Sequence, residues 1–132
     1  MNKKVALILI FIILGLLLSY HILIFTEQIP YDKVWAGRLN TVEEMKSFET
    51  FSILLNLFII AVLSVKYRLL NIGKKNKIID ILIWLFAAFF AFNTFGNLFS
   101  TNLLELIFGT FITLASSILC FIIVRKEKAE TA

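Results

Sequence analysis

One imidazole, several carboxylates and a few amides recur at matching depths within otherwise apolar segments, and these are the groups that could do chemistry. His21 stands near the end of the first apolar run, Glu49 at the head of the second, and Asn93 near the end of the third. At about 1.5 Å per helical residue, His21 and Glu49 lie roughly 24 Å from the opposite ends of their runs, and Asn93 roughly 22 Å. Three helices would therefore offer polar groups in one layer. Asn56 follows Glu49 by two helical turns on the same face, about 13 Å up, and Ser52 completes that face. Asn97, one turn beyond Asn93, and Glu105, at the head of the last run, read as rim residues. An imidazole beside a carboxylate can hold or move a proton, and flanking amides can seat a polar headgroup. Each residue also has a plainer reading. On that reading His21 and Glu49 reach the headgroup level, Asn56 bonds across helices to fix packing, and Glu105 suits a helix start.

The elements that must position this layer follow from composition. The chain has 132 residues, 60% of them hydrophobic, and a mean hydropathy of +0.92. A soluble domain of this size leaves too much surface in water to hide so many Phe, Ile and Leu side chains. Apolar runs at 5–25, 51–65, 78–96 and 103–124 approach or exceed the roughly 20 residues that cross a bilayer core. The second run extends in both directions. Thr41-Val-Glu-Glu44 reads as a capping box and Gly73 as a C-cap, which predicts a helix over 42–72. Asn76 caps the third helix, with Asp80 in its first turn, and Thr101 or Asn102 caps the fourth. The expected fold is all-α: an integral-membrane, four-transmembrane-helix antiparallel bundle forming a single domain, with one longer outer loop between helices 1 and 2. Ala87 and Ala91 on helix 3, and Gly109, Thr113, Ser116 and Cys120 on helix 4, are small-residue stripes that let backbones approach.

Charge fixes the expected topology and excludes several functions. Ten of the thirteen basic residues flank the N-terminus, the second connection or the C-terminus. The positive-inside rule then predicts both termini in the cytoplasm, in a cell (inner) membrane. The same distribution explains the net charge of +4 without nucleic acid. The N-terminal run lacks a small-x-small cleavage site and reads as a retained anchor, and Asn2 is no myristoylation site. Cys120, the single cysteine, has no disulfide or CxxC partner in the chain and reads as a packing residue. One histidine excludes a multi-histidine metal site within the chain, and no cofactor is expected. The loop cysteines of claudin-like proteins, the acidic residue in helix 1 of small multidrug transporters and the cysteine pairs of quinone-linked thiol oxidases are all missing.

The first loop interrupts this pattern with IPYDKVWAGRL. From Glu27 to Glu49 it carries five acids against three bases. Pro30 fixes a turn, Gly37 permits an unusual backbone, and Tyr31 and Trp35 suit the headgroup level. Two readings stand: an interfacial tie with Arg38 solvated, or a lid over the polar layer with Arg38 turned inward to neutralise Glu49. Pro30 to Leu39, with the following Glu49, resembles a group of small, uncharacterised bacterial membrane proteins carrying a PY-x-x-VWGGR-like segment after the first helix. Ala36 replaces the first glycine of that segment. The resemblance implies the four-helix layout and no specific activity.

The leading expectation is a non-enzymatic membrane protein binding a small amphiphile, a lipid headgroup or a partner protein in an outer-leaflet polar pocket covered by the first loop. The expected contact residues are His21, Glu49, Ser52, Asn56, Asn93, Asn97, Arg38, Tyr31, Trp35 and Glu105. The alternative is a transporter or channel subunit whose polar residues line a path after homo-oligomerisation. A membrane enzyme using His21 and Glu49 as acid–base groups ranks third.

Overall fold

The computed structural model describes residues 1–30 and 40–126. It contains four long helices: α1 (Lys3–Phe25), α2 (Val42–Asn71), α3 (Lys77–Leu98) and α4 (Glu105–Val124). All four are long and apolar enough to cross a membrane. Their ends follow local chemistry. Asn2 Oδ1 accepts from the amide of Lys4, and Asn76 Oδ1 accepts from Ile78 and Ile79. At the head of α2, Thr41 Oγ1 accepts from Glu44 N while Glu44 Oε2 reaches back to the amide of Asn40, one residue beyond the expected reciprocal partner. α2 stops where Gly73 turns left-handed at φ +66°. There Lys74 N bonds Leu69 O and Gly73 N bonds Leu70 O, the paired bonds of a Schellman motif.

The fourth helix departs from expectation. Its first turn, Glu105–Gly109, is π-helical, and Thr110–Val124 continues as α-helix. Asn102 Oδ1 accepts from Leu104 N, so Asn102 supplies the cap. The π turn packs against α3. A Cβ on Gly109 would lie 2.9 Å from the Asn97 side chain, so only glycine admits that amide.

The helices pack in a ring, α1 against α2 and α4, and α3 against α4 and α2. α3 and α4 make the most extensive contact, α2 and α3 the least among these neighbours. Residues near the end of one helix meet residues near the start of the next, so sequential helices are antiparallel. Two members of the small-residue stripes, Ala87 and Thr113, lie at the α3–α4 seam. Ser117 Oγ donates to Ala87 O at 2.8 Å, and Thr94 Oγ1 donates to Thr113 Oγ1 at 3.0 Å. The core is largely apolar, with Leu7, Ile10 and Leu14 of α1 meeting Leu63, Ile83 and Ile123. The outside is apolar too: Phe92 is 78% exposed, Phe99 76% and Phe111 71%. Aromatic faces of that size in water would be a strong drive to associate.

Candidate functional site

Two antiparallel helices joined by the first loop bring His21 and Glu49 together. His21 is four residues before the last residue of α1, and Glu49 is the eighth residue of α2. Glu49 Oε2 accepts a hydrogen bond from His21 Nδ1 at 2.6 Å. The carboxylate side chain is 0% exposed and the imidazole 20%. A carboxylate taken fully out of water is strongly disfavoured unless paired, and the short charge-assisted bond provides that pairing. With Nδ1 committed to Glu49, the ring is oriented and Nε2 is the nitrogen that can meet a ligand. Nε2 makes no hydrogen bond among the described residues.

Tyr20, which the sequence reasoning missed, belongs to this cluster. Its ring meets His21 edge-on, centroids 5.8 Å apart, and its hydroxyl is within electrostatic reach of both Glu105 and Glu49. Glu105 is half-buried at the start of the π turn. The clue to Tyr20 was its depth, one residue from His21 in the same layer.

The other expected members divide. Asn56 is buried two turns below Glu49, and its Oδ1 has no hydrogen-bond partner among the described residues. The interhelical bond expected for it is therefore not formed there. Ser52 folds back onto Phe48 O at 2.9 Å. Asn93 is half-buried and bonds neither His21 nor Glu49. α3 instead turns Ala87, Phe90, Thr94 and Asn97 toward α4, which resolves which of its faces packs. Asn97 Nδ2 donates to Thr113 Oγ1 at 3.4 Å, so this amide serves the α3–α4 seam. Thr110 Oγ1, at the end of the π turn, is a second buried oxygen with no partner among the described residues. Tyr31, Trp35 and Arg38, and with them the lid and the Arg38–Glu49 pairing, lie outside the described residues.

A second ion pair closes the other end. Lys66 Nζ donates to Asp80 Oδ1 at 2.7 Å, joining α2 to α3. Lys66 was expected only as one of the basic residues around the second connection, and Asp80 only as a helix-start acid. Folding the chain back about Gly73 puts the two within reach, and that symmetry was readable in the sequence.

Among the described residues no group of three or more His, Cys, Asp or Glu side chains could hold a metal ion. Comparison of the chain with models of known families, with curated proteins and with solved structures finds no match.

Proposed function

We propose that the chain is a multi-pass protein of the cell membrane that binds the polar head of a small amphiphile or lipid at the His21–Glu49 end of the bundle. Four spans and an apolar exterior support membrane residence. The basic residues clustered at both termini and between α2 and α3 support cytoplasmic termini, which puts the His21–Glu49 end in the outer leaflet. One observation carries the binding reading: the fully buried Glu49 carboxylate, 2.6 Å from His21, in a helix long and apolar enough to cross a membrane. Ionisable groups are expensive in a membrane interior and mark sites of ligand or ion handling. His21 Nε2 and Tyr20 supply the polar contacts a headgroup would use, and the unpartnered oxygen of Asn56 lies deeper on the same face of α2.

A transporter or channel subunit remains the second reading, because Glu49, Asn56 and Lys66 all turn inward along one helix. Against a path within one chain, Ile59, Leu63 and Ile83 fill the interior between Asn56 and Lys66. Both ion pairs are also internally satisfied.

The test compares organic extracts of wild-type protein and Glu49→Gln, purified in mild detergent, by mass spectrometry. Loss of a hydrogen bond to a charged group weakens binding about tenfold or more. One lipid-soluble species should therefore be enriched with the wild type and depleted from the variant, with Glu105→Gln close to wild type. Identical extracts from folded wild type and Glu49→Gln would overturn the binding reading.

A further inference from the structure

We infer that the flank of the α1–α2 hairpin holds one zwitterionic phospholipid with an ammonium head, in a site separate from the His21–Glu49 pocket. An open groove there is lined by Phe25, Lys46, Ser47, Thr50, Phe51 and Leu54. Lys46 Nζ stands 5.6 Å over the Phe25 ring, which holds the ammonium at the end of α1. Lys46 forms no ion pair among the described residues, where the two pairs are His21–Glu49 and Lys66–Asp80. The hydroxyls differ from their neighbours. Ser52 and Ser64 on the same helix donate to the carbonyls four residues back, whereas Ser47 and Thr50 make no such bond.

The order of groups along α2 selects the ligand. Glu43, exposed in the first turn, shares the face of Ser47, Thr50 and Leu54 at spacings of four, three and four residues. Moving inward, the face reads carboxylate, then ammonium with two hydroxyls, then Phe51 and Leu54, both more than half exposed. A phospholipid of the ethanolamine class reads ammonium, phosphate, glyceryl ester, acyl chain in the same direction. Glu43 faces the lipid ammonium, Lys46 with Ser47 and Thr50 faces the phosphate, and the chain lies on Phe51 and Leu54. From Glu43 to Leu54 the face spans roughly 16 Å, which accommodates a headgroup and the top of one chain. An anionic head without an ammonium would set its charge beside Glu43 and Glu44, which disfavours it.

The site rests on the membrane reading, so the experiment first establishes insertion. Membranes are washed with alkaline carbonate, and the retained protein is purified in mild detergent. It is then titrated with palmitoyl-oleoyl phosphatidylethanolamine, phosphatidylglycerol or phosphatidylcholine, and native mass spectrometry reads the bound fraction. The expected result is one phosphatidylethanolamine per chain, bound about tenfold better than phosphatidylglycerol. Lys46→Ala should lose that binding about tenfold, and Glu43→Gln should erase the preference over phosphatidylglycerol. Both residues are exposed, so neither substitution threatens folding, and Glu49→Gln should leave this lipid bound. Retained protein that binds all three lipids equally, or a Lys46→Ala variant that binds like wild type, overturns the site and leaves the membrane assignment standing. Protein released by carbonate overturns both.

Discussion

Asp80→Asn is the sharpest test of how α2 is held to α3, because the pair it breaks is lopsided. The Lys66 side chain is 4% exposed and that of Asp80 31%. Removing the carboxylate leaves a buried ammonium, and breaking a buried pair from one side costs about 3–5 kcal/mol. Lys66 lies five residues before the last residue of α2, roughly 8 Å, so its flexible stem can carry the charge outward. The loss should then sit near the lower figure, about 3 kcal/mol. Lys66→Met is a different perturbation of the same contact. It preserves volume, deletes the buried charge, and leaves Asp80 partly solvated in the first turn of α3, where the helix dipole favours it. Its expected cost is within about 1 kcal/mol, since apolar replacement of a buried charge is often neutral. The two substitutions should differ by about 2 kcal/mol, roughly thirtyfold in the unfolding equilibrium. Titration of dodecyl maltoside micelles with sodium dodecyl sulfate, followed by circular dichroism, reads both. Equal losses, or a larger loss for Lys66→Met, would refute the reasoning that unequal burial controls the pair.

Gly109→Ala should cost about 1–3 kcal/mol, because the new Cβ would meet the Asn97 amide at 2.9 Å. Adding Asn97→Ala should recover part of that loss, and strictly additive costs in the same assay would show that the contact does not limit packing. Reporter fusions after Asn40 and at the C-terminus should fall on opposite sides of the membrane, and finding both on one side would overturn the four-span reading and the pocket with it.

The helix ends were legible because the groups that set them are local. Thr41, Asn76 and Gly73 each act within a few residues of their own positions, so spacing alone locates them. The pairing of His21 with Glu49 was legible for a related reason. Counting turns from the opposite ends of two antiparallel helices gives equal depth, and equal depth on neighbouring helices is most of a contact. Depth does not give azimuth, which is why Asn93 was grouped with that pair while Thr94 and Asn97 turned to α4. The π turn of α4 was not legible, because Asn97 nests against Gly109 across two helices. Lys66 was read as a topological charge, a role for which any basic residue serves, and its burial depends on Asp80 fourteen residues away.

That separation also sets an order of events during synthesis. Glu49 leaves the ribosome after its partner His21 has already been made, so the first hairpin can close as soon as α2 appears. Lys66 emerges fourteen residues ahead of Asp80, a wait of about one to three seconds at ordinary elongation rates. On the proposed topology the end of α2 carries an unmatched ammonium through that interval, a charge that would hold it at the lipid–water boundary and limit how far the helix slides inward. Only when α3 follows can the lysine turn into the bundle. The pair thus acts as a latch that closes on the arrival of the third span, and a nascent chain truncated between the two residues should leave α2 in a shallower register than the finished protein.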